Sequence, residues 1–316
     1  MPGRPTSRRG VAGGALRGLL GCTLLAVVTA AAGAAPARCD GPAPLPAGRT
    51  IACTTRDAGR YPYYLRLPSA DAAGAPVLVS VHGISRNARE HASRFGETAA
   101  ARGVVVVAPV YSATRFPGFQ RLGAGTGERP ETALLRILDD VAARTGADTE
   151  AIDLFGFSGG AQFAHRFAMH TPQRVRRLVL GAPGWYTFPD PGVAYPRGIA
   201  GSGFDPEAFL RIPSMVLVGA DDTRRDGAFN RSRHIDRQQG RTRVERGRHW
   251  VAAMRSAART AGLDTAFEFA TLDGCGHSFG DCARRAGLVE RALAFLLARP
   301  RPLATMTAGG KRAGRR

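Results

Sequence analysis

The chain has 316 residues, 44% of them hydrophobic and 22% charged, which supplies one sizeable core and excludes a disordered or fibrous protein. Its formal charge of +19 looks like a nucleic-acid signature, but four arginines before the apolar leader (Arg4, Arg8, Arg9, Arg17) and six basic tail residues (Arg299, Arg301, Lys311, Arg312, Arg315, Arg316) account for ten of those charges and leave +9 on the body. Much of that surplus falls between Arg224 and Arg248; with no nucleic-acid motif it reads as a solvated basic surface, and no nucleic-acid partner is expected.

The basic residues up to Arg17 precede an Ala-rich apolar stretch from Gly18 to Ala32 and then small residues at Ala35, Pro36 and Ala37. That order is the signature of a secretory signal peptide, expected over 1–37 with cleavage near Ala34 to Ala37. An uncleaved anchor, or acylation of Cys22 in Leu19-Leu20-Gly21-Cys22, is the alternative. No later apolar run is long enough to cross a bilayer, so the mature chain is expected to be a monomer, secreted or periplasmic, without a membrane span. In such a compartment the remaining Cys39, Cys53, Cys275 and Cys282 form an even set with three possible pairings, of which sequence nearness favours Cys39 with Cys53 and Cys275 with Cys282.

A Pro- and Gly-rich N-terminal segment (38–60) leads into alternating apolar runs and amphipathic stretches. Strands are predicted at Tyr63 to Leu67, Val77 to Val81, Val104 to Ala108, Ala151 to Phe157, Val175 to Leu180, Ser214 to Val218 and Ala266 to Leu272. Helices are predicted at Ala88 to Arg102, Glu131 to Thr145, Gly159 to His170, Val244 to Ala261 and Ala283 to Leu297. Several strands are apolar throughout, as strands covered on both faces must be, and their alternation with helices predicts an α/β domain over 61–298. The central sheet should be mostly parallel, with helices on both faces and the site at the carboxyl ends of its strands. The segment after Leu297 (299–316) reads as a basic disordered tail.

One strand end carries chemistry at once. Ala151 to Phe157 runs into Gly156-Phe157-Ser158-Gly159-Gly160 and then a helix, the G-x-S-x-G pattern in a strand-turn-helix context. A sharp turn there lifts the Ser158 oxygen clear of the sheet as a nucleophile, and the Gly159 amide faces the positive pole of the following helix, where an oxyanion is stabilised. A serine hydroxyl needs a base. His277 follows the last strand, in Gly274-Cys275-Gly276-His277-Ser278, and a Cys275–Cys282 bridge would hold it.

The acid should stand on a strand end between them, and Ser214 to Val218 leads to Gly219-Ala220-Asp221-Asp222. Asp222 is the expected acid, with Asp221 capping the turn. After Val77 to Val81, His82-Gly83-Ile84 offers the Ile84 amide as the second oxyanion donor, with His82 orienting the loop. His91, His234 and His249 fall on polar stretches. His165 and His170 lack H-E-x-x-H spacing, so no metal is expected. Between Gly184 and Ile212 an aromatic loop with no room for a lid places Trp185 and Tyr186 beside the nucleophile, either contacting substrate or packing on the core.

With His82-Gly83, Gly156-x-Ser158-x-Gly160, Gly219-x-x-Asp222 and Gly276-His277 in that order, the chain resembles the α/β-hydrolase superfamily over Tyr61 to Leu297. Within it, the chain looks most like secreted bacterial serine esterases and the polyhydroxybutyrate-depolymerase-like branch. The resemblance implies cofactor-free cleavage of a small or polymeric ester through an acyl-enzyme. An acyltransferase or peptidase on the same residues, and a non-catalytic binder of acidic polymers or lipid surfaces, are the competing classes.

Overall fold

The computed structural model describes residues 37–39, 44–122, 127–227 and 229–298. The expected signal peptide, Ala37 apart, and the expected basic tail lie outside the described residues. In chain order the strands are β1 (Ala37–Arg38), β2 (Thr50–Thr54), β3 (Pro62–Arg66), β4 (Pro76–Val81), β5 (Val105–Pro109), β6 (Asp148–Phe157), β7 (Val175–Gly181), β8 (Ser214–Gly219) and β9 (Phe267–Leu272). They form one sheet in the order β1-β2-β3-β5-β4-β6-β7-β8-β9. Only the junctions of β3 with β2 and with β5 are antiparallel.

The valine-rich β5 and all of β8 are buried at every position, as is β4 after Pro76. That is the burial expected of parallel strands covered on both faces. β1 and β2 do not show as apolar runs. The segment Thr50–Thr54 alternates buried and half-buried positions, the pattern of a strand near a sheet edge. A disulfide joins Cys39 to Cys53 there.

Eight helices cover the sheet among the described residues: α1 (Ala88–Ala100), α2 (Pro130–Thr145), α3 (Gly159–His170), α4 (Pro206–Leu210), α5 (Arg233–Gln239), α6 (Arg243–Thr260), α7 (Phe279–Arg285) and α8 (Leu288–Leu296). α1 packs on β3, β4 and β5 with α8 beside it, α3 lies on β6 and β7, and α6 lies on β8 and β9. None is long and apolar enough to cross a membrane.

The single helix predicted from Ala283 to Leu297 is two, because Gly287 takes the left-handed conformation (φ 63°) between α7 and α8. α7 begins earlier, at Phe279, where the Ser278 hydroxyl accepts a hydrogen bond from the Asp281 amide as an N-cap. His91 is also corrected: it is buried rather than on a polar face. Its Nδ1 lies 2.8 Å from the Ser80 hydroxyl and its ring stacks on Phe279 at 3.6 Å, tying α1 to β4 and α7.

Candidate active site

The carboxyl ends of β4, β6, β8 and β9 bring the sequence motifs together. Leaving β6, Ser158 adopts φ 53° and ψ −113°, a strained conformation for a residue with a β-carbon, held by its amide donating to the Gly181 carbonyl at 2.7 Å. Gly160 is required behind it, since a β-carbon there would lie 2.1 Å from the Val81 carbonyl oxygen. α3 can therefore start hard against β4.

After β8, Gly219 meets the same demand. A β-carbon on it would lie 2.3 Å from the Cys275 carbonyl oxygen, so the loop after β8 and the loop after β9 touch at this point. Asp222 and His277 face one another as a result. The His277 Nδ1–H donates to Asp222 Oδ2 at 2.7 Å, which leaves Nε2 as an acceptor 2.9 Å from Ser158 Oγ. Asp222 is 2% exposed, and the His277 ring stacks on Phe157. A disulfide between Cys275 and Cys282 brackets the histidine.

Asp221, expected to cap the turn, points into solvent, and the turn is closed by backbone instead, with the Thr223 amide on the Asp221 carbonyl at 2.9 Å. Asp222 takes the inward direction. The Ile84 amide lies 3.5 Å from the space a Gly159 β-carbon would fill, so the two expected oxyanion donors are neighbours at the start of α3. His82 orients that loop: its Nδ1–H donates to the Gly83 carbonyl at 2.7 Å and its Nε2 accepts from the Tyr111 amide at 3.1 Å. Burial pushes its imidazole down to about 4, which keeps it neutral at ordinary pH.

Two solved structures match this architecture over most of its length. Poly(aspartic acid) hydrolase-1 from Sphingomonas sp. KT-1 superposes with a TM-score of 0.69 at 25% identity, over 80% of this chain and 99% of that one. LpqC, a poly(3-hydroxybutyrate) depolymerase from Bordetella parapertussis, gives 0.63 at 26% identity, over 77% and 86%. The chain has the α/β-hydrolase fold and is similar to the polyhydroxybutyrate-depolymerase-like branch of it. An S-formylglutathione hydrolase from Agrobacterium tumefaciens shares the fold, with a TM-score of 0.54 at 14% identity over 79% of this chain and 94% of that one. No family model and no curated protein matches the sequence.

In this α/β-hydrolase a cavity of about 350 Å³ opens over Ser158. Trp185 lines it, together with Gln120, Arg121, Gln162, Asn230 and Arg243. Tyr186 does not. Its backbone exchanges hydrogen bonds with the Gln239 amide group at 2.8 and 2.9 Å, which turns the ring inward to stack on Trp250. The tyrosine belongs to the core and the tryptophan to the cavity wall. No lid domain interrupts the hydrolase fold here, since α4 is the only helix between β7 and β8.

The basic run from Arg224 to Arg248 departs most from its sequence reading. Arg243 and Arg246 are 1% and 0% exposed. Arg225, Arg243 and Arg246 gather around the Phe229 ring, and Asp236 pairs with Arg225 at 2.7 Å and with Arg246 at 2.8 Å. A guanidinium stacks on an aromatic face and pairs in its plane, so this run is partly an internal scaffold rather than solvated surface. Arg243 reaches the acid itself, its Nη1 donating to Asp222 Oδ1 at 2.9 Å. Sequence reasoning missed it. The one available signal was the local excess of arginine beside the acid-bearing loop.

Proposed function

We propose that the protein is a secreted serine hydrolase that cleaves carboxylic esters through an acyl-enzyme, with Ser158 as nucleophile, His277 as base and Asp222 as the acid that orients the base. What supports the reading is one chain of contacts, Asp222 to His277 at 2.7 Å and His277 to Ser158 at 2.9 Å, converging from three strand ends far apart in sequence. The two disulfides fit an oxidising compartment.

As Ser158 Oγ forms its bond to the ester carbonyl carbon, its proton passes to His277 Nε2. The carbonyl oxygen takes up negative charge against the amides of Ile84 and Gly159, at the positive pole of α3. Collapse breaks the carbon–oxygen bond to the alcohol, which leaves with the proton from His277. Water then attacks the acyl-Ser158, giving its proton to the same nitrogen, and the acid departs as the Ser158 hydroxyl is restored. Arg243 acts on this sequence as a positioning residue: by occupying Asp222 Oδ1 it leaves Oδ2 to hold the imidazole in one orientation.

A fluorophosphonate probe should label the native protein and fail to label the folded Ser158→Ala variant. A folded native protein that resists the probe and hydrolyses no ester would favour the non-catalytic reading. Similarity to a poly(aspartic acid) hydrolase makes amide cleavage the second reading, since the same residues could serve it. Matched ester and amide substrates, compared by kcat/KM, separate the two.

A further inference from the structure

The cavity over Ser158 holds positive charge that the chain does not neutralise. Two arginines, Arg121 and Arg243, line it, and no Asp or Glu does. Arg243 is matched by Asp222 at 2.9 Å and Asp226 at 3.2 Å. Arg121 is exposed, and its guanidinium has no hydrogen-bond or ion-pair partner among the described residues. It stands at the wall as a free planar donor.

Behind that wall lies a second cation without a counterion. Arg166 is fully buried on α3, where its Nε donates to the Thr187 hydroxyl at 3.0 Å and its Nη1 to the carbonyls of Gln120 and Gln162. Its guanidinium carbon sits 4.3 Å from the centre of the Trp185 ring, and its Nη2 is buried with no hydrogen-bond partner. Burial lowers its pKa to about 10, which still leaves it protonated at neutral pH. Gln120, Gln162 and Trp185 all line the cavity, so this charge is one side chain away from whatever binds there.

A buried cation facing only neutral dipoles costs the free protein stability, and its field extends through low-dielectric walls into the adjoining space. An anion in that space relieves both. A guanidinium fork fits a carboxylate in two parallel hydrogen bonds, and a cavity of this size admits a short acyl chain.

We propose that the substrate of this site carries a carboxylate on the acyl group a few bonds from the scissile carbonyl, bound by Arg121 at the cavity wall with Arg166 supplying positive potential from behind. The ligand class is the half-ester of a short dicarboxylic acid, free or as a repeating unit of an anionic polymer. This rests on the reading of Ser158 as nucleophile and adds to it the charge of the acyl group.

The test compares monoethyl succinate with ethyl isocaproate, in which an isopropyl group of the same shape replaces the carboxylate. The native enzyme should prefer the half-ester by about tenfold in kcat/KM, the ratio a charge-assisted pair is worth. Raising the salt concentration should shrink the ratio, and Arg121→Gln should bring it toward one. A native ratio at or below one, or a ratio untouched by Arg121→Gln, overturns the proposal. Calorimetric binding of monoethyl succinate to Ser158→Ala, with and without Arg121→Gln, reads recognition in the absence of turnover. Binding that depends on Arg121, in a protein that hydrolyses neither ester, would retain the anion site and reject the hydrolase reading. Hydrolysis of both esters with no preference does the reverse.

Discussion

On one flank of Ser158 the charged groups are paired with one another, although Arg243 Nε is buried without a hydrogen-bond partner. His277 is held by Asp222, Asp222 by Arg243, and Arg243 also by Asp226, with the Cys275–Cys282 bridge closing the loop behind. On the other flank, among the described residues, Arg121 projects without a partner, Arg166 is buried with no counterion and one amino group unsatisfied, and the side-chain oxygens of Gln120 and Gln162 accept nothing. Groups that move a proton must be oriented before substrate arrives, so their contacts lie within the chain. Groups that recognise a ligand do so by the hydrogen bonds they have not yet made. On the proposed reading, the contrast between the two flanks is that between a preorganised device and a receptor.

The sharpest way to break the first flank is Asp222→Asn, which keeps the shape and removes the acceptor that fixes the imidazole tautomer. kcat should fall by about 10⁴ while the variant remains folded by circular dichroism. Should Asp221→Asn have that effect instead, the acid is misassigned.

Next come two of the buried arginines, Arg243 and Arg166, which should respond oppositely to the same substitution. Arg243→Met leaves Asp222 buried without its cationic partner and should cost ~3–5 kcal/mol by urea unfolding. In the folded fraction kcat should fall with KM nearly unchanged, and Arg243→Lys should restore part of it. Arg166→Met removes a cation that has no counterion, and should stay within ~1 kcal/mol of the native stability. Equal losses from the two variants would mean that both arginines are merely structural.

Acid should act through three buried histidines. His82, His91 and His165 are buried and their imidazoles are pushed down by desolvation, His82 to about 4. Above pH ~6.5 they are neutral in the folded and unfolded chain alike and contribute no pH dependence. As the pH falls from there toward 4, the unfolded chain takes up protons that the fold refuses. Stability should therefore drop, by about 2 kcal/mol for His82 alone between pH 7 and pH 5, as urea titrations at the two pH values can measure. Removing the Cys275–Cys282 bridge by Ser at both positions should cost about 2–3 kcal/mol in the chain-entropy account. That variant should lose more kcat than a Cys39, Cys53 double serine variant, whose bridge is remote from the histidine.

Much of this was legible without coordinates. The strand-turn-helix around Ser158 is written in contiguous residues, because the turn needs small residues at fixed offsets and the flanking runs declare themselves by apolar content. The helix from Gly159 to His170 appears in the structure with the predicted bounds, whereas the one predicted from Ala283 divides at Gly287, a residue that alone decides the break. β2 escaped because a strand near the sheet edge with one buried face needs few apolar residues, and Thr50–Thr54 has too few to stand out.

The sequence by itself determined the order of strands and helices, the motifs at the strand ends and the pairing of near cysteines, since each depends on residues close together in the chain. Tertiary structure decided which charges are interior: Arg243 and Arg246 read as part of a solvated basic surface, and each is buried by partners about ten to sixty residues away. It also decided that Tyr186 turns into the core while Trp185, its neighbour, faces the cavity. A charge or a ring carries no mark of its surroundings in the sequence; packing chooses them, and here packing set one arginine on the acid, left another exposed at the cavity wall and buried a third behind that wall.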